Sequence, residues 1–206
     1  MNADAAVRRT LGRSSLVTSI DLVGSRARGD STELSDWDFR VDSDDMRRLV
    51  DDLPTIARTL DPLGALWDPL SERAVYMLVL DGPVKIDLFP GDEPRPVLPP
   101  WVPMPDTLAD IDAHFWDWTL WLGSKFLHGA GEVVDAELQK QHTHLLGPMG
   151  ASAVPTTIED AVAAYLAARA LRMAQWRVVV AEELGRQVTG ALARHHVIHA
   201  TNPPHP

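Results

Sequence analysis

Three aspartates, distant along the chain, are the residues best placed to do chemistry. Asp36 and Asp38 sit two apart in Ser35-Asp-Trp-Asp38, and Asp87 lies in Val84-Lys-Ile-Asp-Leu-Phe89. If 36–41 form a strand, residues i and i+2 share a face. Asp36, Asp38 and Arg40 then oppose Trp37, Phe39 and Val41. The later run alternates likewise, with Lys85 and Asp87 opposite Val84, Ile86 and Leu88. Neighbouring strands would bring the three carboxylates onto one face. Such a cluster is costly unless a cation sits within it. Hard oxygen donors at this spacing suit Mg²⁺.

A second feature lies just upstream. The apolar run Leu16 to Val23 reads as a short buried strand, and Gly24-Ser-Arg-Ala-Arg-Gly29 follows it. Two bracketing glycines fit a sharp turn that opens a short helix. Backbone N–H groups at such a turn can hold phosphate oxygens. Gly24 would let the backbone approach a ligand, and Ser25 adds a hydroxyl donor.

A Gly-Ser turn, a helix, an Asp-x-Asp strand and a later strand Asp resemble the nucleotidyltransferase superfamily that includes DNA polymerase β. The layout is similar to its small members, the antibiotic (aminoglycoside and lincosamide) nucleotidyltransferases and the minimal nucleotidyltransferases. The resemblance covers residues 16–90, under half of the chain. It implies transfer of a nucleoside monophosphate, AMP from ATP above all, to a hydroxyl, with loss of pyrophosphate. It implies that Asp36, Asp38 and Asp87 ligate Mg²⁺, with Asp87 either a third ligand or the general base. Gly24 and Ser25 would hold the β/γ end of the triphosphate. Arg26 or Arg28 could reach a phosphate or simply be solvated, and Arg28 is taken as a candidate nucleotide contact. Lys125 is a second candidate, because related enzymes place a helical-domain lysine on the triphosphate; a surface lysine at a helix C-terminus is the plainer alternative. Arg40 and Lys85 could balance the carboxylate face or touch phosphate.

Composition narrows the acceptor. The 206 residues carry a net charge of −10, which disfavours a phosphate-backbone substrate and would steer a polycation inward. A hydroxyl-bearing small molecule, such as an aminoglycoside-like antibiotic, is the expected acceptor. The alternatives are a toxin-like or regulatory enzyme modifying a protein or tRNA, and a non-catalytic nucleotide-binding module. There are no cysteines, so disulfides and thiolate metal sites are excluded, and a reducing cytoplasm fits. No apolar run is long enough to span a membrane, and the first twelve residues lack the apolar core of a secretion signal.

The elements that must position these groups follow in order. Residues 4–12 fit a short helix. Ser43 to Leu60 fits a helix capped by Ser43, with Met46, Leu49, Val50, Leu53, Ile56 and Leu60 as its apolar stripe and Pro54 either kinking it or splitting it in two. Ala74 to Leu80, the turn Asp81-Gly-Pro83 and the Asp87 strand make a hairpin. The expected fold class is α+β: a mixed sheet of four or five strands with helices on the face away from the carboxylates, then a helical bundle. Seven of the sixteen prolines fall in 90–105, a stiff extended linker. The domains are read as 1–97, the linker 98–105, helical 106–200, and a disordered tail 201–206.

In the helical half, 106–127 carries the stripe Leu108, Ile111, Phe115, Trp118, Leu122 and Phe126. A helix over 132–146 follows. Thr156 and Glu159 suggest a capping box for a helix running from Thr157 to about Gly185, its stripe including Leu166 and Leu184. A last short helix spans 187–199. A cleft between the halves would suit a ligand. Trp116, Asp117 and Trp121 either face that cleft or belong to a Trp-rich core. His195 and His199 are one turn apart but have no third ligand, so they read as surface residues.

Overall fold

The two alternating runs become adjacent parallel strands. In the computed structural model, which describes residues 2–199, β2 (Trp37–Asp42) pairs with β5 (Val84–Pro90) in a register that sets Asp38 against Asp87. The disordered tail expected at 201–206 lies outside the described residues. β1 (Ser19–Val23) pairs antiparallel with the other edge of β2. β4 (Tyr76–Leu80) forms the expected antiparallel hairpin with β5. An additional strand, β3 (Gly64–Trp67), pairs antiparallel with β4, giving the order β1-β2-β5-β4-β3. Gly-Ala-Leu-Trp is too short to show alternation, so nothing in its pattern announces a strand.

One face of this mixed sheet is covered by α1 (Ala3–Leu11) and α3 (Met46–Ala57). Phe39, Val41, Ile86 and Leu88 bury there against Val7, Leu11, Leu49 and Leu53. The N-cap of α3 is Asp45, which accepts from the Arg48 N–H; Ser43 instead accepts from the Asp45 N–H. Pro54 is held within α3, and a 3₁₀ turn at Arg58–Leu60 follows.

The opposite face is not left bare. α4 (Leu108–Leu127) packs across it, close enough to β3 that a Cβ on Gly64 would lie 3.2 Å from that of Ala113. Buried on nearly every side from Ile111 to Ser124, α4 has no single stripe, and Phe126, expected inside, is exposed. Before it, residues 91–107 hold no helix, and their one strand-like contact pairs Arg73 with Pro94. Trp101 docks on the helical side, its N–H donating to the His144 carbonyl.

α5 (Gly131–Gln141) continues through a π-turn at His142–Leu146 into α6 (Gly147–Met149). α7 (Ile158–Trp176) is capped by Thr157, which accepts from the Asp160 N–H, one residue later than expected. It stops at Arg177, in left-handed backbone at φ 56°, well short of Gly185. The β-branched run Val178-Val-Val180 explains the break, since such residues lose rotamer freedom in a helix. Arg169 then donates to the Val180 and Ala181 carbonyls that the helix leaves free. Leu184 belongs to α8 (Glu183–Arg194), and Leu166 is exposed.

Candidate active site

β1 delivers the chain at Val23 into α2 (Gly24–Arg28), with Gly24 at φ 68°. A Cβ on Gly24 would overlap Asp38 Oδ2 and lie 2.8 Å from the Asp38 Cγ. The glycine is therefore needed to admit Asp38, whatever it also offers a ligand. Gly29 ends α2 in left-handed backbone, its N–H returning to the Ser25 carbonyl. Ser25 sits partly buried in the first turn.

Arg26 is committed to the loop ahead of β2. Its guanidinium donates to the Ser35 and Asp36 carbonyls and lies 4.4 Å from the Trp37 ring centroid. It thus fixes the backbone that presents Asp36. Arg28 is exposed and pairs with Asp30 at 3.3 Å, a weak surface contact it can exchange for another anion. Arg40 is exposed and paired with Asp42.

Asp36, Asp38 and Asp87 each offer a carboxylate oxygen within 4.8 Å of the others. Among the described residues this is the group of acidic or histidine side chains arranged to hold a metal ion. Burial pushes Asp38 up from 3.8 to about 7, with Asp36 and then Asp87 adding to the rise and Lys85 and Lys125 opposing it. Burial likewise raises Asp87. A site that resists carrying three negative charges by itself fits a divalent cation among hard oxygen donors. Lys125 lies with its ammonium 4.7 Å from the Trp121 ring and near enough to favour ionised Asp38.

Lys85 is not available for phosphate. Its buried ammonium bonds to Asp87 Oδ1 and lies 3.1 Å from Asp117 Oδ1 of α4. Those charges raise its pKa despite burial, which acts the other way. Burial pushes Asp117 up to about 7, against the pull of Lys85. The sequence alone leaves the role of Asp117 undecided between cleft and core. The signal that points to it is an acid flanked by tryptophans in an apolar helix, which needs a buried cation, and the chain has only three lysines.

Beside the cluster lies a cavity of about 280 Å³ between the sheet and the helices. Lys85 and Asp87 line it together with Asp68, His114, Trp118 and Trp121. Trp121 thus reaches the cleft, whereas Trp116 is buried among the helices and donates to Asp112. His199 pairs with Glu159 at 2.7 Å and, among the described residues, shares no metal site with His195. Among the described residues no helix is long and apolar enough to cross a membrane.

No curated protein matches the chain. The family model described as the nucleotidyltransferase domain matches residues 5–75, a stretch that holds Gly24, Ser25, Asp36 and Asp38 and stops short of Asp87. That match supports nucleotidyl transfer as the general activity, with a nucleoside triphosphate as substrate.

Proposed function

We propose that the protein transfers a nucleoside monophosphate, AMP from ATP, to a hydroxyl of a small molecule, releasing pyrophosphate. The observation that carries this reading is the approach of Asp36, Asp38 and Asp87 to within 4.8 Å beside a cavity that shares Asp87. These three residues would hold Mg²⁺. When bound, the ion neutralises charge on the phosphates and on the departing pyrophosphate. The chain's own groups do the rest. Gly24 and Ser25 open α2 toward the β/γ-phosphates, and Arg28 and Lys125 are the cations with freedom to reach them. Asp87 belongs to both the carboxylate cluster and the cavity, so it is the base candidate for the proton of the attacking hydroxyl. The new bond joins that oxygen to the α-phosphorus as the bond to pyrophosphate breaks.

The cavity sits between the proposed domains 1–97 and 106–200, and the acceptor belongs there. Its carboxylates and tryptophans favour a hydroxylated, amine-bearing molecule, aminoglycoside-like in character. The net charge of −10 favours such a partner over tRNA, and a cytoplasmic setting fits the absence of cysteine. The test is magnesium-dependent pyrophosphate release from ATP across a panel of sugars and antibiotics. Release with a small acceptor, lost in Asp38→Asn, supports the reading. Label from ATP appearing on protein or tRNA instead would replace the small-molecule acceptor. Release that is unchanged in Asp38→Asn would remove the role given to the carboxylates.

A further inference from the structure

His114 is buried on α4, 3 % exposed, and lines the cavity that shares Asp87. Its ring stacks on Trp118, with centroids 5.2 Å apart. The Trp101 indole Nε1 lies 2.9 Å from His114 Nδ1. An indole N–H can only donate, so Nδ1 must be the accepting nitrogen. The neutral ring then carries its proton on Nε2, which has no partner among the described residues. Burial, Lys85 and His144 all push the imidazole down, to about 3, so the ring stays neutral at physiological pH. Nε2 is not sealed within the interior, so this donor of fixed tautomer is open to an acceptor that enters the cavity.

We propose that His114 orients the acceptor substrate, its Nε2–H donating to a hydroxyl oxygen of a saturated, polyhydroxylated ring held against Trp118 and Trp121. The proposal rests on the nucleotidyl-transfer reading and extends it to the acceptor. At about 280 Å³ the cavity is at the small end of ligand pockets and suits one ring rather than a polymer segment. Tryptophan faces pack well on the C–H faces of such rings. Asp68, which has no cationic partner among the described residues and accepts from the Leu70 N–H, offers a carboxylate to a second hydroxyl or an amine.

Two measurements test this. The first is a two-bond ¹H–¹⁵N spectrum of the histidine-labelled full chain, with His114→Phe to assign the signal. A neutral ring protonated on Nε2 is expected from pH 6 to 8; a proton on Nδ1, or an imidazolium, overturns the proposal. The second is calorimetry with glucosamine, inositol, kanamycin and spectinomycin on protein loaded with Mg²⁺ and a non-hydrolysable ATP analogue. At least one ring should bind, and His114→Phe should weaken it about tenfold while leaving analogue affinity unchanged. His114→Gln, whose amide N–H reaches the former Nε2 position, should recover most of that loss. For a ring that also supports turnover, KM should rise with little change in kcat. Equal ring affinity in His114→Phe and wild type overturns the proposal, as does failure of every ring to bind while the analogue binds. If the analogue itself does not bind the wild type, the underlying reading falls and takes this one with it. Should His114→Phe lose analogue binding through misfolding, Trp101→Phe takes its place: it unlocks the tautomer and must weaken ring binding, and unchanged affinity overturns the proposal.

Discussion

Gly24 and Asp38 occupy space that cannot be shared with a methyl group: a Cβ on residue 24 would overlap Asp38 Oδ2 and lie 2.8 Å from its Cγ, and Gly24 sits at φ 68°. Gly24→Ala therefore adds left-handed strain to a steric clash, at a cost of about 2–4 kcal/mol. It must also push Asp38 off its position beside Asp36 and Asp87. We expect loss of pyrophosphate release together with lower stability in urea denaturation. A Gly24→Ala variant with wild-type stability and turnover would show that neither constraint operates.

Asp38→Asn separates function from folding by moving them in opposite directions. The side chain keeps its shape but no longer adds a charge to a cluster in which Asp87 is buried and Asp36 and Asp38 are half-buried. In EDTA the variant should be more stable than wild type, by about 1 kcal/mol or more. Pyrophosphate release should fall by several orders of magnitude, and stabilisation by added Mg²⁺ should shrink. A variant destabilised in EDTA would mean that Asp38 is a structural acceptor.

The same carboxyl sets a pH dependence whose sign is fixed. Asp38 rises from 3.8 to about 7, chiefly through burial, so the folded chain holds this proton more tightly than the unfolded chain. Its contribution to stability is therefore fully present below about pH 4 and is lost as pH rises toward 7. In EDTA the melting temperature should fall between pH 5 and 8. Asp38→Asn should flatten that slope, because Asp38's share is gone. Saturating Mg²⁺ should flatten it in the wild type, since a cation favours the ionised form. A wild-type slope that neither change reduces would exclude Asp38 as its source.

How far these features are legible in the sequence depends on whether the signal is local. Alternation in 36–41 and 84–89 is local, so the faces carrying Asp36, Asp38 and Asp87 follow from period two alone, and their convergence needs only that β2 and β5 be neighbours. The packing of α4 over the carboxylate face is not local, and no periodicity announces it. Phe126 and Leu166 fit an apolar period yet are exposed, because burial around α4 and α7 follows from which helices pack nearby. Trp101 illustrates the limit most clearly. Its indole fixes the His114 tautomer from inside a proline-rich stretch that periodicity reads only as linker.

Lys85 carries a charge that two acids depend on, and this makes it the sharpest test of the link between sheet and helices. It lies 4 % exposed, bonded to Asp87 and 3.1 Å from Asp117. Lys85→Met preserves length but leaves two buried carboxylates without their cation, a loss of about 3–5 kcal/mol. Asp117→Asn leaves the ammonium still paired with Asp87 and should cost less. A methionine in place of Lys85 needs no partner on α4, so adding Asp117→Asn to Lys85→Met should recover part of the loss, with a coupling of about 0.5–3 kcal/mol in a double-mutant cycle. Urea denaturation of the four proteins at pH 7.5 gives the cycle directly. Additive effects would mean that Lys85 and Asp117 do not act on each other, and that this ion pair does not hold α4 over the sheet.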